Sequence, residues 1–162
     1  MNNIENNELI NNLNQLLSDL QVFYINTKRF HWNIKGDKFF ELHPKFEELY
    51  TDLSKRIDDV AERIITLGGK PYHSYSEYLK IAKIKETKEI TSPHISVKNV
   101  ITSLEIIIDH QKEIIELANQ INDWGTIMMI GKELLQKEKM LWMFRAYNEK
   151  YKVNIEAMSE AI

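Results

Sequence analysis

The chain has 162 residues, about one domain's worth, with 43% hydrophobic and 28% charged residues and a net charge of −3. Only five glycines and three prolines interrupt long runs of Leu, Ile, Lys and Glu, a composition that suits a soluble, mostly helical globular protein. It contains no cysteine, which excludes disulfides, thiolate catalysis and Cys-based zinc or iron–sulfur sites, so any metal must be held by His, Asp or Glu.

Leu9, Leu13, Leu16, Leu20, Phe23, Thr27, Phe30 and Ile34 follow an alternating spacing of four and three, which predicts one amphipathic helix over about 5–34. Gly36-Asp37 ends it with a turn. The same rhythm resumes at Phe39 and runs through Leu42, Phe46, Leu49, Leu53, Ile57, Val60, Ile64 and Leu67, until Gly68-Gly69 and Pro71 stop it. Ser76 is expected to cap a short helix through about Ala82, after which KETKEITSPH reads as a polar loop ending at Pro93. A further long helix is expected from near Val97 to Ile121. Asn122-Asp123 then supplies a break and an N-cap for the last helix, over about 124–150. Four long helices with a short one between the second and third predict an all-α four-helix bundle, a single domain over 1–162, whose second-to-third connection crosses its full length. No stretch approaches the roughly 18 apolar residues of a membrane span. The start, MNNIENNELI, has neither a basic nor an apolar leader pattern, so a cytoplasmic location without membrane association is expected.

Polar residues intrude on this pattern in RFHWNIKGDKFFELHPKFEELY, residues 29–50. On the second helix His43, Glu47, Asp58 and Glu62 fall at relative angles of about 0, 40, 60 and 100 degrees, on one flank beside the apolar stripe. Axially, His43 and Asp58 are roughly 22 Å apart, whereas metal–ligand bonds span about 2 Å. One copy of the helix therefore closes no compact site. A twofold axis near residues 52 and 53 removes the difficulty, because antiparallel packing sets 43 opposite 62 of a second copy and 47 opposite 58. His31, at the end of the first helix, is folded back toward His43 by the Gly36 turn. The resulting set of His31, His43, Glu47, Asp58 and Glu62 suits iron or manganese, with zinc as a further fit. Any one of these residues taken alone reads as an ordinary hydrogen-bonded boundary residue, and only their common register points to a metal. His73, His94 and His110 have no partners in register and are expected to be structural or solvent-exposed. Trp32 and Tyr50 are expected to be core or interface aromatics. No histidine has Glu three residues before it, so a Glu-x-x-His site inside one bundle is not expected.

HWNIKGDKFFELHPKFEELY, followed by DDVAERIITLGGKP and by LWMF near the end of the last helix, resembles the Dps family of ferritin-like mini-ferritins over nearly the whole chain. The resemblance implies a ferroxidase centre between twofold-related subunits, with His31, His43, Asp58 and Glu62 as its residues and Glu47 standing where many members have Asp. It implies iron as cofactor and cargo, oxidation of ferrous iron preferentially by hydrogen peroxide, and storage of ferric mineral in a hollow homododecamer. It also implies Trp32 as a quencher of stray oxidising equivalents and threefold pores near NDWGTIMM, where Asp123 is the one acid. Asp123 reads equally as a helix cap, and Asn in its place is expected to preserve stability.

Two other functions compete. Many Dps relatives bind DNA through lysine-rich tails, but here the first 27 residues and the last ten contain no Lys or Arg, so direct DNA binding is not expected. A local basic patch around KIAKIKETK would be the exception. A metal-free helical scaffold explains the apolar periodicity but leaves the His and carboxylate register as coincidence.

Overall fold

The computed structural model describes the backbone of residues 3–159 and the side chains of residues 5–149. Five helices follow in order: α1 (Asn3–Asn33), α2 (Phe39–Thr66), α3 (Tyr75–Ile81), α4 (Pro93–Gln120) and α5 (Trp124–Ser159). No strand occurs among the described residues. The four long helices form the bundle, and α3 lies within the long α2–α4 connection and packs on α1. Every member of the predicted α1 stripe from Leu9 to Ile34 is at most 2% exposed, as are Phe46, Leu49, Leu53, Val60 and Ile64 of α2. The all-α reading holds. The parts of the single-domain reading that fall at 1–2 and 160–162, Glu160 among them, lie outside the described residues.

Helix ends are set by local chemistry. At the end of α2, Gly68 has φ +81. There Gly68 N donates to Ile65 O and Gly69 N to Ile64 O, both at 2.9 Å, which closes a Schellman motif on two orphan carbonyls. Asn122 does the same for α4 with φ 57, while the next residue, Asp123, caps α5. Three boundaries differ from the sequence expectation. Ser74, not Ser76, caps α3, through a capping box with Glu77. α4 starts four residues before Val97, because Ser92 is an N-cap and Pro93, whose missing N–H costs nothing at a first position, occupies N1/N2. α5 runs nine residues past Lys150, since YKVNIEAMS contains no Gly or Pro to stop it.

The crossing connection is held by polar side chains of α1. Asn14 donates to Lys70 O at 3.1 Å and accepts from Tyr72 N at 2.8 Å. Gln15 donates to Ile81 O, and Asp19 accepts from Ile84 N, both at 2.8 Å. Asn26 donates to Lys85 O and accepts from Thr87 N, both at 2.9 Å. Asn14, Asp19 and Asn26 are at most 3% exposed, so each loop partner replaces water that the side chain gave up on burial.

His110 is 1% exposed and donates from Nε2 to Asn12 Oδ1 at 3.1 Å. Burial, with the charge of Lys83 nearby, lowers its pKa from 6.5 to about 4. Between those values the unfolded chain takes up the proton and the folded chain does not, so stability falls as pH drops from about 6.5 toward 4, by at most about 3 kcal/mol. Urea unfolding across that range should show this slope in the wild type and a smaller one in His110→Gln, which keeps a donor for Asn12.

Candidate metal centre

His31 lies in the last turn of α1 and His43 in the second turn of α2, and the short link between the helices sets them face to face. Their rings stack with centroids 3.8 Å apart at 22°. His31 Nδ1 bonds to His43 O at 2.7 Å and His43 Nδ1 to His31 O at 2.8 Å. A carbonyl only accepts, so both Nδ1 atoms carry hydrogen and, in the neutral rings, both Nε2 lone pairs are unprotonated. Neither Nε2 has a hydrogen-bond partner among the described residues. This is the ligand-ready tautomer, with each helix backbone acting as the support that orients the other helix's imidazole.

Local folding explains why His31 O is available. The Lys35 N–H, which would continue the α1 ladder onto it, donates to Thr91 O at 3.1 Å instead. His43 thus satisfies one of the four orphan carbonyls at the end of α1. Phe39 stacks on His43 at 4.7 Å and Tyr50 meets His31 edge-on at 5.4 Å, which restricts both rings further. Tyr50 also packs edge-on against Tyr24, and Lys28 Nζ lies 5.0 to 5.5 Å from the ring centroids of Tyr24, Trp32 and Tyr50. Trp32 itself is 61% exposed and is not a core residue.

Glu47, Asp58 and Glu62 are exposed on α2 and make no hydrogen bond or ion pair among the described residues. Among the described residues, no three His, Asp or Glu groups of one chain come together closely enough to hold a metal. The chain therefore supplies two separate halves, an imidazole pair and a set of unpaired carboxylates. His110 is buried, His94 half-buried and His73 exposed.

Asp123 is the N-cap of α5. Its carboxylate accepts from Thr126 N at 3.2 Å and Thr126 Oγ1 at 2.5 Å, and it is ion-paired with Arg63. The side chain is 8% exposed. Arg63 also donates to Thr126 Oγ1 at 2.9 Å and lies over Gly125, where a Cβ would meet the guanidinium at 2.9 Å. A second ionic group, invisible in the sequence reading, ties α2 to α5 nearby. Lys137, 0% exposed, pairs with Asp52, and Arg56 pairs with Glu133 at 2.6 Å, Asp59 at 2.9 Å and Asp52 at 3.3 Å. Burial alone would raise the Asp52 carboxyl, but Lys137 and Arg56 outweigh it and hold it below the usual range. For Glu133 burial wins, and its carboxyl is pushed up despite Lys137 and Arg56.

A family model for the ferritin-like domain matches residues 10–153. The DNA protection during starvation protein of Porphyromonas gingivalis is 44% identical over 142 residues, covering 88% of this chain and 89% of its own length. The structure of the Dps protein from Vibrio cholerae O1, described as a member of a broad superfamily of ferritin-like diiron-carboxylate proteins, superposes with a TM-score of 0.87 at 44% identity, covering 89% of this chain and 91% of that one. Dps from Staphylococcus aureus superposes with a TM-score of 0.85 at 32% identity, covering 88% and 95%. The fold is thus that of the ferritin-like class. The chain belongs to the Dps family within it.

The Arg63 pair alters the expectation for Asp123. Asp123→Asn keeps an acceptor for Thr126 N but removes the charge that Arg63 faces, so unfolding stability should fall by about 1–3 kcal/mol rather than stay constant. Chemical denaturation should place Asp123→Ala lower still, because the cap is lost as well.

Proposed function

We propose that the protein is a ferroxidase that oxidises ferrous iron, preferentially with hydrogen peroxide, and stores the ferric product in a hollow homododecamer, protecting the cytoplasm against oxidative stress. The observation that carries this reading is the reciprocal His31–His43 pair, which holds two unprotonated Nε2 atoms side by side on a fixed backbone. The unpaired, exposed carboxylates of Glu47, Asp58 and Glu62 supply the hard oxygen donors that ferric iron favours. In an antiparallel α2 pair, Asp58 and Glu62 of one chain face His31, His43 and Glu47 of the other, and each dimer owns two identical centres. Iron is then substrate and cargo. Two ferrous ions each give up one electron, peroxide takes both, its O–O bond breaks, and two protons complete two waters. Pairing the electrons avoids the hydroxyl radical that a single transfer would release. Trp32, exposed and beside the imidazole pair in sequence, is the candidate trap for stray oxidising equivalents. The Arg63 pair leaves capping as the role of Asp123 best supported by its contacts.

The shared centre makes a sharp test. His31→Ala with His43→Ala should lose fast iron oxidation, and so should Asp58→Ala with Glu62→Ala. Reassembling the two variants together rebuilds one centre wherever one of each meets at a twofold axis, so activity should return. Mixtures that stay as inactive as their parents would refute sharing between chains.

Protection of DNA in this reading comes from removing iron and peroxide rather than from coating the duplex. Its basis is the lack of Lys and Arg in residues 1–27 and 153–162 and the engagement of three lysines of the Lys-rich connection by partners within the chain. There Lys83 faces Glu113 at 4.0 Å, Lys88 pairs with Glu86 at 3.2 Å, and Lys85 Nζ donates to Ala82 O at 2.7 Å. Plasmid DNA should therefore show no retardation by the metal-free protein near neutral pH and physiological salt. Retardation that weakens steeply with added salt would report phosphate contacts and reverse this conclusion.

A further inference from the structure

Among the described residues, two further aromatic rings touch the imidazole pair. Phe39 stacks on His43 with centroids 4.7 Å apart, and Tyr50 meets His31 edge-on at 5.4 Å. Of the two, only Tyr50 is readily oxidised, because a phenol can lose its proton along with an electron and end as a neutral radical. A second phenol continues the path, since the Tyr50 ring meets that of Tyr24 edge-on at 6.2 Å. Both tyrosines are half-buried. Lys28 Nζ lies 5.0 Å from the Tyr24 centroid and 5.5 Å from that of Tyr50, and it donates to the Tyr24 hydroxyl oxygen at 3.1 Å. Trp32 stands apart from this path. It makes no ring contact with either imidazole among the described residues, and the Lys28 ammonium lies 5.3 Å from its ring. An indole gives up its electron before its proton, so it passes through a radical cation that the ammonium opposes. A phenoxyl is neutral, and its oxygen accepts the charged Lys28 donor more strongly than the parent phenol does.

We propose that Tyr50 supplies the missing electron when peroxide meets a centre holding a single ferrous ion, and that the resulting phenoxyl comes to rest on Tyr24. The proposal rests on the reading of His31 and His43 as half of a shared iron-oxidising centre. A half-filled centre is the hazard of that arrangement, because one ferrous ion has one electron to give and peroxide needs two. Here the ferrous ion and Tyr50 each give one electron, peroxide takes both and its O–O bond breaks. The phenol proton and one proton from solvent then complete two waters, leaving one ferric ion and a neutral phenoxyl. Transfer from Tyr24 to Tyr50 moves the radical one ring further from the imidazole pair, to the oxygen that Lys28 holds. Trp32 is left with the equivalents that escape the centre.

The test loads the assembled, metal-free protein anaerobically with fewer ferrous ions than centres, adds hydrogen peroxide, freezes within the first turnover and reads the radical by paramagnetic resonance. In the wild type the hyperfine structure should narrow when the protein is grown with ring-deuterated tyrosine and stay unchanged with ring-deuterated tryptophan. Tyr50→Phe, which keeps a ring against His31, should lose most of the phenoxyl while ferric iron still forms, and a spin trap should now report hydroxyl radical. Tyr24→Phe should keep a phenoxyl with a different splitting, because the radical then stays on Tyr50. A wild-type signal that responds to deuterated tryptophan, or rapid ferric formation with no phenoxyl, would overturn the proposal. So would a full-strength phenoxyl in Tyr50→Phe or an unchanged splitting in Tyr24→Phe. The isotope comparison uses the unaltered chain, so it decides the matter even if a variant fails to assemble. A wild type that forms no ferric iron rapidly with peroxide would instead remove the shared-centre reading itself, and the proposal with it.

Discussion

Almost everything in this fold hangs on α1, which must serve two unlike neighbours at once. It carries the apolar stripe that packs on α2 and α4, and it also carries Asn14, Gln15, Asp19 and Asn26, which take the backbone of the crossing connection. A connection of this length has many unpaired backbone groups, and each would cost free energy if buried without a partner. Placing amides and a carboxylate along the α1 helix turns that cost into a set of directional bonds. Those bonds fix where the connection runs and hence where α4 can begin.

The same economy of backbone groups builds the candidate centre. An ordinary helix end leaves carbonyls to water, but here His43 completes one at the end of α1 and His31 returns the bond to α2. The exchange costs neither ring its metal-binding nitrogen, because the carbonyl takes the Nδ1 hydrogen and leaves Nε2 bare. Orientation and protonation state are thereby set by main-chain atoms, which do not move as side chains do.

The α2–α5 seam works differently. Its contacts include buried charges, Lys137 with Asp52 and Arg56 with Glu133, near the middle of α2 where the proposed twofold axis would pass. Breaking one partner of such a pair leaves an uncompensated charge, so the seam resists local sliding more than its net contribution to stability suggests. A fixed α2 matters because any centre shared between chains needs His43 and Glu62 of the same helix to keep their separation.

Several features were legible in the sequence because they repeat or punctuate. The four-and-three spacing gave α1 and α2, Gly68 and Asn122 marked the stops of α2 and α4, and the pairing of His31 with His43 followed from the Gly36 turn. The Dps resemblance rested on HWNIKGDKFFELHP, whose two histidines the fold does bring into contact. Other features were decided by tertiary structure alone. Ser74 displaced Ser76 as a cap because only its geometry reaches Glu77. Asp19 and Asn26, seven residues apart, share one side of α1, which was the available signal for a docked connection, but their partners are backbone atoms, which carry no residue identity to read. Arg63 and Asp123 are far apart in the chain, as are Asp52 and Lys137, and no local pattern links them. Periodicity reports which side of a helix is apolar, whereas the partner of a buried charge depends on which helix the fold sets opposite it.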